Sequence, residues 1–149
     1  MLLWGCTIPA DYNDNLVREQ TKTLDLISNL NASLNKNDLK KAHAIWSEAI
    51  KQSKESTNKV KQMSPFRKET GLRDAMANLL EFYQLVLIKD YRTIFEIKRS
   101  ALAEEEKNAK IKSILDQIRK KEAVLIESFR EQEVSFAREY DIQLVSSGI

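Results

Sequence analysis

One cysteine, Cys6, and one histidine, His43, are the only residues of their kinds in the 149-residue chain, and they bound its chemistry closely. A cysteine nucleophile needs a base and a group that orients it. Cys6 has neither beside it, since it ends the apolar stretch Met1-Leu2-Leu3-Trp4-Gly5-Cys6. A lone cysteine also excludes an internal disulfide and any zinc or iron–sulfur site built on several thiolates. The di-iron centres of helical bundles draw on Glu-x-x-His pairs, but the residue three before His43 is Lys40. A haem held by His43 alone has nothing else to support it. The glycines Gly5, Gly71 and Gly148 stand too far apart for a phosphate-cradling loop. No catalytic residue, metal or cofactor is expected.

Two further features carry polar chemistry. Arg73-Asp74 places opposite charges at the start of the most apolar segment of the chain. The expected role is an ion pair that fixes register at the end of a bundle, with an interaction site as the other reading. Asp74 is expected to accept from, or pair with, a basic residue of another helix. Asn31-Ala32-Ser33 matches a glycosylation acceptor but falls inside a helical pattern and is set aside.

These residues must be positioned by helices. Three glycines and two prolines are too few for the tight turns of an all-β fold. A hydrophobic fraction of 42% is enough for a core. Period-3.6 patterning runs through everything after residue 10. A first helix is expected from Ala10 to Leu34, with Tyr12, Leu16, Leu24, Ile27 and Leu30 on one face. Asn37 or Asp38 then caps a second helix running to Met63. Its seam of Leu39, Ala42, Trp46, Ala49, Ser53, Ser56, Val60 and Met63 alternates steps of three and four. That is a heptad with small residues at its middle, which lets a neighbour approach closely. Ser64-Pro65 stops this helix.

A third helix is expected from Leu72 to Arg99, with Leu72, Met76, Leu79, Tyr83, Val86, Ile94 and Ile97 on one face. Leu80, Phe82, Leu85, Leu87, Ile88 and Phe95 widen that face until most of its girth is apolar, so it is expected at the centre of the fold. The surplus girth is also where a partner or oligomer contact is expected. Ser100 is expected to cap a fourth helix that runs to Ile142, with Glu104, Glu105 and Glu106 in or near its first turn. The fold class is therefore all-α: an up-down-up-down four-helix bundle of long antiparallel helices.

Charge is uneven although the net is only +2. Residues 36–70 carry 9 basic and 4 acidic side chains, while 103–149 carry 8 and 10. The lysines of the basic quarter are scattered among Ser, Gln, Asn and Glu, without an arginine cluster or interleaved aromatics. They read as one helix facing acidic neighbours, and nucleic acid is not an expected partner. No apolar run approaches the 18 residues of a membrane span.

Leu3-Trp4-Gly5-Cys6 resembles the bacterial lipoprotein processing box, in which Gly or Ala precedes an obligatory cysteine. Further along, Tyr12-Asn13-Asp14, Glu19-Gln20-Thr21, Phe66 with Arg73-Asp74-Ala75, Leu80-Glu81-Phe82-Tyr83, and Phe129 with Phe136-Ala137 can be read together. From Cys6 to about Leu144 the chain resembles a group of small surface lipoproteins of Bacteroidetes and spirochaetes. The resemblance implies lipidation at Cys6, a helical bundle, and no assigned chemistry. Residues 1–9 are then the remnant of a signal and its tether, 10–144 the bundle domain, and 145–149 a frayed tail. The expected function is that of a lipid-anchored protein of the bacterial cell envelope. It would bind an unknown protein partner, or a second copy of itself, through its helix faces. The alternative is a soluble cytoplasmic helical adaptor with Cys6 unmodified. An enzyme or carrier using the bundle interior would need a polar cavity, and no inward-facing polar cluster is legible.

Overall fold

A computed structural model describes residues 8–144 of the chain. Cys6 and the tail 145–149 lie outside the described residues. Helix α1 covers Pro9–Asn35, α2 Leu39–Gln62, α3 Gly71–Leu85, α4 Tyr91–Arg99 and α5 Glu104–Glu139. A π-helical segment, Val86–Asp90, joins α3 to α4 into one continuous rod. Four rods joined by short connections thus make a four-helix bundle, with no strand among the described residues. The β-type pairing they show is a single bridge between Phe66 and Glu69.

Local sequence explains the ends. Pro9 opens α1, where its missing N–H costs nothing. The Asp38 side chain accepts from the Lys41 amide at 3.1 Å and caps α2. Ser100 behaves otherwise than expected. It ends the third rod, and its hydroxyl donates to the Ile97 carbonyl at 2.6 Å. The fourth rod starts four residues later, at Glu104, with Glu104, Glu105 and Glu106 in its first turn. With its hydroxyl turned back on the third rod, Ser100 closes one helix instead of opening the next.

The core has two halves. At one end Tyr12, Leu16, Val60, Phe66, Leu72, Met76, Leu80 and Phe136 pack together. At the other, Leu30, Leu34, Ala42, Ala49, Leu87, Ile94 and Phe95 do so. The small residues of α2 are fully buried at Ala42, Ala49, Ser53 and Ser56, so the seam expected of that helix is its packing face. The third rod lies at the centre. Its apolar girth is spent inside the bundle, leaving Leu85 as its one exposed large hydrophobe. The expectation of a partner surface there is corrected: three neighbouring rods use up the faces that looked surplus.

The π segment is the main departure from the expected third helix. The Tyr91 amide bonds five residues back, to the Val86 carbonyl. The ladder slips by one residue, and the Leu87 carbonyl is left without a helical donor. The Trp46 indole of α2 supplies one at 2.7 Å. The slip also realigns the rod. Eight residues of regular helix separate Tyr83 from Tyr91 by about 80° around the axis. Absorbing one residue brings them to within about 20°, so both phenols face the same way.

The connection 63–70 closes one end of the bundle. Arg67 and Lys68 both adopt positive φ, 47° and 76°, in a tight turn held by the Glu69 amide on the Phe66 carbonyl at 2.8 Å. Arg67 lies over the rings of Phe66 and Tyr140, 5.4 and 5.5 Å from their centroids.

Candidate functional site: a groove between the first and last helices

α1 and α5 both rest on the third rod but make almost no close backbone approach to each other. Between Glu104 and Ser128 no side chain of α5 is buried. The two helices are held apart by Tyr83 and Tyr91, which rise between them from the third rod. The hollow left above these tyrosines has a volume of about 230 Å³. Leu24 and Ile27 of α1 and Leu115 and Ile118 of α5 form its walls, with Val86 in the floor. Asn31, Asn35, Arg119 and Glu122 bring polar groups to it.

Tyr83 ties the third rod to both walls, and Tyr91 ties it to the α1 wall. The Tyr83 hydroxyl donates to the Glu122 carboxylate at 2.8 Å and accepts from the Gln20 side-chain amide at 3.4 Å. The Tyr91 hydroxyl donates to Asn31 Oδ1 at 2.7 Å. Burial pushes the Tyr91 phenol up to about 12, and the neighbouring Glu122 charge adds to the shift. Tyr83 is raised further, again chiefly by burial. Both stay protonated donors far above neutral pH. Glu122 itself is half-buried and, among the described residues, has no ion-pair partner. The exposed Arg119 is turned to Asp116 at 2.9 Å. The groove is therefore an aliphatic slot with a hydrogen-bonded floor, in which Glu122 has no ion-pair partner and Arg119 is paired with Asp116.

No inward-facing polar cluster is legible in the sequence, and the fold makes one. Asn31, Tyr83, Tyr91 and Glu122 converge on one hollow, although each alone has the pattern of a core or surface residue. Tyr83 and Tyr91 sit on the apolar face of the third rod, and Glu122 looks like part of a solvated stripe. The chain separation of 39 residues between Tyr83 and Glu122 is bridged only by the fold.

A second inward carboxylate, Glu19, has a different character. It is 2% exposed and takes Lys22 at 2.8 Å, Lys59 at 2.5 Å and the Ser56 hydroxyl at 3.1 Å. Burial raises its pKa, but those three donors outweigh it and the net shift is downward. With its oxygens occupied, Glu19 ties α1 to α2 and leaves nothing to a ligand. A hollow of about 570 Å³ beside the α1–α2 turn is lined by Lys36, Asp38 and Lys41, all solvated, together with the buried Ser33. The two depressions on the outer face of α5 each have walls from that helix alone, so they are surface relief and not cavities.

The other residues singled out by sequence lie elsewhere. Arg73 pairs with its neighbour Asp74 at 2.9 Å, and its guanidinium also donates to the Met63 carbonyl at 3.1 Å. The tie between helices is thus made by Arg73 at the end of α2, and Asp74 pairs within its own turn. His43 is exposed and packs edge-on against Trp46 and Phe95, with centroids at 5.4 and 5.9 Å. Among the described residues no group of three or more His, Cys, Asp or Glu is placed to hold a metal ion. None of their helices is long and apolar enough to cross a membrane. Comparison with family models, with curated proteins and with solved structures finds no match for this chain.

Proposed function

We propose that the protein is a lipid-anchored component of the bacterial cell envelope that acts by binding, with the groove between α1 and α5 as its binding site. The groove is the observation that carries the binding role. Two helices that could have closed on each other are propped apart by two tyrosines whose hydroxyls each donate a hydrogen bond to a wall. A floor satisfied in this way persists without a ligand, and a preformed slot loses little on filling.

The anchor rests on Leu3-Trp4-Gly5-Cys6 and on the resemblance to small surface lipoproteins. Acyl chains on Cys6 would each contribute about 0.8 kcal/mol per buried CH₂, and two or more hold a protein stably at a bilayer. Geometry adds support. Cys6 stands three residues before Pro9, so an anchor there would grip the bundle at the end where α1 starts. The groove is lined by the far half of α1, Leu24 to Asn35, about 22–40 Å along that helix. It would stand clear of the membrane surface.

The test is metabolic labelling with a fatty-acid analogue, with the gene expressed from its natural upstream region in a bacterium that processes lipoproteins. Label on the wild type and none on Cys6→Ser is the expected result. An unlabelled wild type removes the anchor and leaves the soluble adaptor.

A further inference from the structure

We infer that the groove binds a small organic monocation, a primary amine on a compact apolar body, with Glu122 as its counter-ion. This rests on the reading of the groove as the binding site and names what enters it.

Size comes first. An apolar cavity of about 150 Å³ accommodates benzene, so 230 Å³ has room for a ring and a short polar arm. The walls suit the ring, because Leu24, Ile27, Leu115 and Ile118 are half-buried aliphatics that gain contact when the slot fills.

Charge decides the polar arm. Glu122 spends one carboxylate oxygen on the Tyr83 hydroxyl, and no cation among the described residues neutralises it. Arg119 also lines the hollow, but its guanidinium pairs with Asp116 at 2.9 Å and makes no ion pair with Glu122. A half-buried carboxylate attracts a cation more strongly than a solvated one does, and it repels an anionic ligand equally. An ammonium brings three donors and no acceptor. The floor's spare capacity matches it: the second oxygen of Glu122 and the remaining lone pair of the Tyr91 hydroxyl, which already donates to Asn31. A carboxylic acid of the same body would set its charge against Glu122, and an alcohol would gain no charge pairing.

The experiment uses the full chain with labelled Leu, Ile and Val methyl groups, titrated by NMR with phenethylamine, phenethyl alcohol and hydrocinnamate. Phenethylamine is expected to shift the methyls of Leu24, Ile27, Val86, Leu115 and Ile118. It should bind about tenfold more tightly than the alcohol, with hydrocinnamate weakest. Glu122→Gln should erase the amine's advantage and leave the alcohol unchanged. Ile118→Trp, which fills the slot and leaves the Glu122 carboxylate in place, should abolish all three. The wild-type ranking decides the matter even if a variant misfolds. An alcohol that binds as well as the amine, or a preferred hydrocinnamate, overturns the amine and leaves the groove as a site. If no probe moves the groove methyls, the groove reading falls as well.

Discussion

The Trp46 indole donates to the Leu87 carbonyl at 2.7 Å, and that carbonyl is the one the π segment leaves out of the helical ladder. One side chain of α2 thereby stabilises a slip in the register of the central rod. Trp46→Phe keeps an aromatic ring, though a smaller one, and removes the donor, leaving a buried carbonyl unsatisfied. The expected cost is about 1–3 kcal/mol. It should appear as a lower urea midpoint with an unchanged slope, and an unshifted midpoint would mean that water replaces the indole.

Acid should loosen the bond between α1 and α2. The pKa of Glu19 is lowered in the folded chain because Lys22, Lys59 and Ser56 donors overcome its burial. A carboxyl with a depressed folded pKa stabilises above its unfolded value, about 4.3, and loses that contribution as pH falls through the folded value. Wild-type stability should therefore drop below about pH 4.3. Glu19→Gln should be less stable at neutral pH and should show a flatter decline in acid. Denaturant midpoints across that range check both, and parallel curves for the two proteins would refute the assignment.

Alkali acts through the groove tyrosines with the opposite sign. Tyr91 is raised to about 12, mainly by burial, and Tyr83 is raised further. The unfolded chain gives up these protons near pH 10, so stability is complete below that and declines as pH rises toward the folded values. Phenolate absorbance should rise in step with loss of helix, and Tyr91→Phe should move the midpoint to higher pH.

Strain in the connection 63–70 can be relieved. Lys68 holds a φ of 76°, a left-handed conformation that a side chain resists by about 1–2 kcal/mol. Lys68→Gly should raise stability by about 0.5–1 kcal/mol after the greater freedom of glycine in the unfolded chain is subtracted. Thermal unfolding measures it, and a lower midpoint would show that the lysine stem makes contacts that matter.

Core and surface should separate cleanly on the same scale. Leu80 is fully buried in the central rod, and Leu80→Ala should cost about 2–5 kcal/mol. Val124 on α5 is 70% exposed, and Val124→Lys should change stability by no more than about 0.5 kcal/mol.

The bundle was legible because its information is local. Alternating steps of three and four in α2, the proline at residue 65 and the acidic turn at 104–106 each act within a few residues, and each appears where expected. The π segment left a fainter trace. The apolar face of the third helix steps eight residues from Val86 to Ile94 where a heptad would step seven. That extra residue is the one absorbed between α3 and α4. The groove left no trace of this kind. Tyr83 and Tyr91 belong by pattern to the core, Glu122 and Asn31 to polar stripes, and only the packing of three separate rods converts them into one floor. Ser100 misleads for a related reason, since a serine between helices can close the first or open the second.

The absence of buried side chains along the first 25 residues of α5 makes the molecule unequally stiff. Phe129 and Phe136 clamp one end of that helix, while its other end leans on half-covered Ile and Leu. That arm, tied to the third rod through Glu122 and Tyr83, is the part that yields first when a guest presses on the slot. Guests somewhat larger than the resting space could enter without any helix having to unfold.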